Sequence, residues 1–210
     1  GFISLEFAEI FSVNKNQSTI LLKDNHFFEK ILDEKGGDLL KRNMEKFQIK
    51  VISGDSIAKA EKIDNKLNLL TQNGSSLTAD AIGAGIGLER NMEFLYGSDI
   101  KLGEKAVLTN EFLETNKEGV YAAGDVAEFY SVVLEKQTIE GNWTSSFLQG
   151  KRAGLNMTGD KQPYKDLASY ATNNLGYQLT AIGHCDATLE NIIRQDRRPE
   201  MYEKFSIKNK

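Results

Sequence analysis

Thr115-Asn-Lys-Glu-Gly-Val-Tyr-Ala-Ala-Gly-Asp125 is the stretch that settles what kind of chain this is. A Lys117-Glu118-Gly119 turn leads into a short apolar run, Val120 to Ala123, which reads as a strand. The run stops at Gly124, and the carboxylate of Asp125 follows at once. Ligands of open α/β sheets bind outside the carboxyl ends of the strands, so an acid there is placed to grip a ribose or ribityl hydroxyl. Gly124 has no Cβ and lets a ligand approach the backbone closely. A buried strand closed by a turn aspartate is the plainer alternative.

On either side, hydrophobic spacing predicts an α/β organisation. Phe2 to Val13 carry Phe2, Ile3, Phe7, Ile10 and Phe11 mostly three or four apart, which is an amphipathic helix. Thr19 to Leu22 is a short strand after a polar turn. Phe27 to Phe47 holds a second helix, with Leu39, Leu40, Met44 and Phe47 inward and Gly36-Gly37 as an interruption. Gln48 to Ser53 reads as a strand. Ile57 to Ile63 and Lys66 to Thr71 read as paired strands joined at Asp64-Asn65, and Asn73-Gly74 is a strong hairpin signal. Ala79 to Gly87 is expected as an apolar strand ending in glycines, followed by loops up to Val120. Asn142 to Met157 reads as a helix capped by Asn142 or Thr144, with Gly159 just past its end. After Pro163, a linker, Tyr164 to Lys210 should hold short strands with turns at Asn173-Asn174 and Arg198-Pro199.

The chain has 210 residues, enough to bury a real core in one large or two small domains. A net charge of −4 gives no reason to expect nucleic acid or an anionic membrane as partner. No apolar run approaches a membrane span, and no signal peptide is expected from the opening residues. The single cysteine excludes a disulfide or a dithiol pair within these residues. A reducing, cytoplasmic location fits best.

The Thr115 to Asp125 pattern resembles the second flavin-binding motif of the FAD-dependent pyridine nucleotide-disulfide oxidoreductases. Relatives in that family include NADH oxidases and the rubredoxin, ferredoxin and nitrite reductase flavoproteins. The resemblance implies that Asp125 binds the FAD ribityl chain, with Gly124 beside it against the ribitol or phosphates. Gly1 to Ala8 resembles the family segment Gly-Gly-Gly-Tyr-Ile-Gly-Leu-Glu-Phe-Ala without its first two glycines, so the chain is expected to be a fragment of a longer protein. In that alignment Gly1 is the middle glycine of the NAD(P)H fingerprint, where pyrophosphate meets a helix N-terminus. Ser4 stands where the family has its third glycine, and Glu6 matches the acid near the nicotinamide end; a solvated helix glutamate is the alternative. The fold asks for an acid about 20 positions on to hold the adenine ribose. Leu22 occupies that place with Lys23 beside it, an arrangement that favours the 2′-phosphate of NADPH.

Ala79 to Gly87 resembles the crossover strand that leaves the NAD domain, with Gly85 open to the nicotinamide cofactor. The family follows it with Arg-Pro-Asn; here Glu89-Arg90-Asn91 keeps the asparagine. The helix from Asn142 corresponds to one whose N-terminus points at the flavin pyrimidine ring, so Trp143 is a flavin-side candidate, with core anchoring beside Phe147 and Leu148 as the commoner role.

The resemblance therefore implies a truncated Rossmann-like NAD(P)-binding domain over 1–83 and the C-terminal part of a FAD-binding domain over 84–160. The start of an α+β interface domain follows over 161–210. It implies hydride transfer from NAD(P)H to FAD and on to an acceptor, in a full-length protein that dimerises. A small redox protein is one such acceptor. Two alternatives stand beside it: an oxidase or disulfide reductase with an upstream cysteine, and a non-catalytic binding and dimerisation segment. No metal site is expected. Cys185, beside His184, reads as a packing residue, His26 as an exposed loop residue. The basic group Arg194, Arg197, Arg198, Lys204, Lys208 and Lys210 reads as a solvated face, with docking of an acidic electron carrier as the rarer role.

Overall fold

The computed structural model describes residues 1–185, 189–195 and 201–207. They form an α/β chain of two compact units: Gly1–Gly87 with Thr172–Leu179 and Cys185–Lys210, and Leu88–Ala171 with Thr180–His184.

The first unit opens with α1 (Phe2–Val13), which buries Leu5 and Ala8 and stops at Asn14, whose side chain donates back to the Ile10 carbonyl at 2.7 Å. Strand β1 (Thr19–Leu21), helix α2 (Glu34–Lys46) and strand β2 (Lys50–Ile52) make a crossover unit, with β1 and β2 parallel and Ile20 opposite Val51. A parallel pair needs such a connection, and α2 supplies it. The helix starts later than the apolar spacing predicts. Asp33 is its N-cap and accepts from Gly36 N–H at 2.9 Å, so Gly36 and Gly37 lie inside the first turn and do not interrupt the helix. They are glycines because neighbours occupy the space: a Cβ on Gly37 would come within 2.6 Å of the His26 ring. His26 is correspondingly half-buried, not an exposed loop residue, and Phe47 is 44% exposed just beyond the helix end. Leu5, Ile20, Phe27, Leu40, Met44 and Ile49 form the core between these elements.

Three antiparallel strands follow: β3 (Ile57–Ile63), β4 (Lys66–Thr71) and β5 (Ser76–Ala79). Asp64 at φ 53° and Gly74 at φ 84° make the two turns where the sequence places them. Asp55, buried before β3, accepts from the N–H groups of Ser56 and Asn73 at 2.8 and 3.1 Å. The expected strand from Ala79 to Gly87 is absent: residues 80–92 carry no regular structure. The segment lies against α1 instead of against another strand. A Cβ on Gly83 would reach the Phe7 ring at 2.6 Å, and one on Gly85 would collide with Ser4 Oγ.

The second unit contains strands that hydrophobic alternation does not reveal: β6 (Val107–Thr109), β7 (Ala127–Ser131) and β8 (Lys136–Ile139), with β6 parallel and β8 antiparallel to β7. Val120 to Ala123 is not a ladder strand. It folds back on residues 113–115 through the Gly119 turn (φ 75°), with a single bridge at Glu114 and Tyr121 and a bond from Ala122 N–H to the Leu113 carbonyl. Helix α3 (Trp143–Met157) is capped by Asn142, which accepts from Ser145 N–H at 2.8 Å. Leu113, Phe129, Ala153 and Tyr164 form this unit's core, with the Phe129 and Tyr164 rings edge to face at 5.2 Å.

Strands β9 (Ser169–Asn174) and β10 (Tyr177–Ile182) form a two-stranded sheet. Their turn falls on Leu175 (φ 50°) and Gly176 (φ 75°), two residues later than Asn173-Asn174. Asn174 is buried and bonded to Glu9 on α1, which sets that register. Strands β11 (Glu190–Gln195) and β12 (Tyr202–Ile207) pair antiparallel. The Arg198-Pro199 turn lies outside the described residues. Among the described residues, no helix is long and apolar enough to cross a membrane.

Candidate functional site

The sequence candidates divide between the two units, and each unit brings its own set together. In the second, Gly124 and Asp125 form a one-turn 3₁₀ segment (Gly124–Val126) between the Val120 stretch and β7. Gly124 holds φ 81°, and a Cβ there would lie 3.3 Å from Ser146 Oγ, tighter than ordinary contact. Its N–H donates to Gln149 Oε1 at 2.8 Å. Asp125 is half-buried; its Oδ1 accepts from Ser146 Oγ at 3.2 Å, and its carbonyl accepts from Arg90 Nε. Its Oδ2 makes no hydrogen bond or ion pair among the described residues. Gly141 is bare toward it, an added Cβ standing 3.8 Å from the carboxylate. Acid, glycine turn and helix start thus meet in one place. An open apolar hollow of about 430 Å³ adjoins the turn, lined by Phe94, Ile100, Val120, Ala123 and Val126.

Helix α3 presents an unusual face to this site. Ser145, Gln149, Ala153 and Asn156 are buried, while Trp143 is 95% and Phe147 72% exposed. Trp143 is therefore not a core anchor; it stands at the first helical position on the open face, and Leu148 alone of the three packs toward the core. The polar residues go inward because polar groups await them. Glu140, buried just before α3, accepts from Ala168 N–H at 3.1 Å and from Tyr164 Oη at 3.5 Å. Burial pushes its carboxyl above the usual range, against the downward pull of Ser145, Ala168, Gln149 and Tyr164. Burial and the Glu140 charge push the Tyr164 phenol up in turn.

In the first unit, Gly1 and Gly85 are neighbours, a Cβ on Gly1 standing 3.9 Å from the Gly85 carbonyl. Ser4, the departure from the glycine fingerprint, donates its Oγ to that carbonyl at 3.3 Å. Glu6 is exposed on α1, while Glu9, overlooked in the sequence, is the acid that α1 commits to structure through Asn174 and Leu175. Lys23 is exposed beyond β1, and Leu22 packs on the core. Asp24, next in line, is exposed as well.

Other candidates are accounted for locally. His184 Nε2 meets Lys136 Nζ at 3.0 Å, and Cys185 is a half-buried free thiol. Arg194 pairs with Glu203 at 2.6 Å and Lys204 donates to the Ile31 carbonyl at 3.2 Å, so these two cations serve the β11–β12 pair and its packing. Arg197, Arg198, Lys208 and Lys210 lie outside the described residues.

A helix headed by Gly1, a parallel crossover unit and a Gly-Asp turn against α3 make the layout of an α/β fold of the nucleotide-binding kind. Residues 1–150 match the family model described as pyridine nucleotide-disulphide oxidoreductase, and the chain belongs to that family. It is 28% identical over 165 residues to a CoA-dependent NAD(P)H sulfur oxidoreductase of Pyrococcus furiosus, covering 76% of this chain and 36% of that protein. It is 29% identical over 136 residues to the rubredoxin-NAD(+) reductase of Acinetobacter baylyi, covering 64% and 34%. In fold it is similar to a ferredoxin reductase of Rhodopseudomonas palustris, with TM-score 0.89 and 18% identity over 99% of this chain and 52% of the other. The chain spans roughly a third of the length of the curated relatives it matches.

The turn suits a flavin. A polyhydroxyl tether needs a carboxylate oxygen left open beside a backbone bare of side chains, and Asp125 with Gly124 and Gly141 supplies both.

Proposed function

We propose that this chain carries the NAD(P)H-binding part and the C-terminal portion of the FAD-binding part of a flavoprotein oxidoreductase. Electrons from NAD(P)H would pass through FAD to a second acceptor. Residues 1–83 serve NAD(P)H, 84–160 serve FAD, and 161–210 begin an interface domain through which the full-length protein forms a homodimer. FAD, when bound, supplies the two-electron chemistry; the protein contributes position and electrostatics. Asp125 offers its open oxygen to a ribityl hydroxyl while Ser146 fixes the other oxygen. The N-terminus of α3 directs its partial positive charge toward the site, and exposed Trp143 offers a flat apolar surface there. Gly1 at the head of α1 receives pyrophosphate, neighbouring Gly85, packed on Ser4, lies toward the nicotinamide end, and Glu6 is exposed on α1. Lys23 favours a 2′-phosphate and Asp24 a free ribose hydroxyl, so these adjacent residues set the choice between NADPH and NADH.

The half-buried, singly held carboxylate of Asp125 beside the bare glycine turn carries this reading. A small redox protein of the rubredoxin or ferredoxin kind is the acceptor we favour, in line with the rubredoxin-NAD(+) reductase relative. Similarity to the sulfur oxidoreductase supports a second reading, in which a cysteine elsewhere in the full-length protein reduces a sulfur species. The test is the purified full-length protein: bound flavin bleached by NADPH or NADH, then reoxidised by rubredoxin or by polysulfide with coenzyme A. A protein without flavin, or with flavin that neither nicotinamide reduces, would end the proposal. A clear NADH preference would assign the ribose contact to Asp24 over Lys23.

A further inference from the structure

We propose that Gln149 is a positioning residue for the flavin turn, its buried amide fixing the backbone of Gly124 and thereby the reach of Asp125. The inference rests on the flavin reading of Asp125. Gln149 is fully buried at 0% exposure in the middle of α3, a place where an apolar residue would carry no desolvation cost. Its two amide atoms are treated differently. Oε1 accepts from Gly124 N–H at 2.8 Å, and Nε2 faces the Glu140 carboxyl beyond ordinary hydrogen-bond geometry, yet close enough to pull against the rise in its pKa. A buried amide costs more than an apolar side chain unless its polar ends are used, so packing alone does not account for glutamine here.

The bond it does make falls on the residue immediately before Asp125, at the one position of the turn with φ 81°. Ser146, three residues earlier and hence on a neighbouring face of the same helix, holds the Asp125 carboxylate at 3.2 Å. One rigid helix therefore sets backbone and carboxylate together, and Arg90 pins the Asp125 carbonyl from the other side. Without the Gln149 acceptor the Gly124 N–H is buried and unpaired, and the turn relaxes away from α3. The open oxygen of Asp125 then moves off the ribityl position while the fold of the unit persists. Glutamine reaches this N–H from a helix that also needs an inward polar face toward Glu140, which is why the side chain is long and neutral.

The experiment compares FAD dissociation constants, by flavin fluorescence, for the full-length protein and its Gln149→Met, Gln149→Asn, Asp125→Ala and Leu148→Ala variants. Melting temperatures of the FAD-free forms are measured in parallel. Methionine fills the volume without an acceptor; asparagine keeps the amide but is one methylene too short, and it stands in if the methionine variant does not fold. Leu148→Ala loosens the same helix without touching Gly124. We expect the Gln149 variants to bind FAD at least about tenfold more weakly, the cost of one unpaired buried donor. Leu148→Ala should bind it normally for a similar fall in melting temperature, and the flavin absorption band of the FAD-saturated Gln149 variants should shift. Affinity within twofold of the parent, or an equal loss in Leu148→Ala, overturns the role of Gln149. If Asp125→Ala also leaves FAD affinity unchanged, the flavin reading itself falls; if Asp125→Ala weakens binding and the Gln149 variants do not, only this inference fails.

Discussion

Replacing Gly124 by alanine separates the folding role of the turn from its ligand role. Gly124 adopts φ 81°, and forcing an L-residue into that region costs about 1–2 kcal/mol. Losing glycine's freedom in the unfolded chain returns roughly 0.4–1 kcal/mol, leaving a net loss on the order of 1 kcal/mol from the backbone alone. The new Cβ would also stand 3.3 Å from Ser146 Oγ and 3.4 Å from its Cβ, so turn and helix must part by a few tenths of an ångström. Ser146 is the donor to Asp125, so that displacement falls directly on the carboxylate. Gly119 is the control within the same stretch: φ 75°, with nothing within 4 Å of an added Cβ. Both alanine variants should melt a few degrees below the parent. Gly124→Ala alone should lose FAD affinity, read by flavin fluorescence on the full-length protein. Equal affinities for the two variants would refute the reasoning, because backbone strain without a ligand role predicts that result.

Further outcomes follow from other contacts. Glu140 has a raised carboxyl pKa through burial, so the folded state favours its protonated form and stability declines as pH rises from the ordinary 4.5 through the raised value. Glu140→Gln cannot ionise, and its melting-temperature advantage should grow over that window and then level off; a constant difference contradicts this. Glu9→Ala leaves Asn174 Nδ2 and Leu175 N–H, both bonded to Glu9 at 3.1 Å, without their acceptor, and thermal melting should report a loss of about 1–3 kcal/mol. Phe129→Ala, at a fully buried ring, should cost about 3–5 kcal/mol in chemical denaturation. The 210-residue chain expressed by itself should purify with little or no FAD, and a stoichiometric yellow preparation would count against the division of the flavin site proposed above.

Helix α1 and the β3–β4 pair were legible because their apolar residues repeat at helical or strand period, and α3 because Asn142 is a strong cap. Strand β7 was not, since Ala127, Phe129 and Ser131 face inward and a buried serine erases the alternation. The stretch 79–87 is apolar like a strand, yet its glycines serve close packing on Phe7 and Ser4, contacts that only the folded chain defines. Trp143 misled for a related reason: apolar character predicts burial unless the helix has polar work on its inner face, and Gln149, Ser145 and Asn156 have it. The Gly124-Asp125 motif was readable from local pattern. Its supports, Arg90, Ser146 and Gln149, come from 35, 21 and 25 residues away and carry no signature of their own.

The most direct test is a crystal structure of the full-length protein grown with FAD. A ribityl hydroxyl should lie within hydrogen-bond distance, about 2.5–3.0 Å, of the Asp125 oxygen that Ser146 leaves open. A flavin bound with its ribitol held elsewhere, and the Asp125 side chain turned to water, would contradict the account.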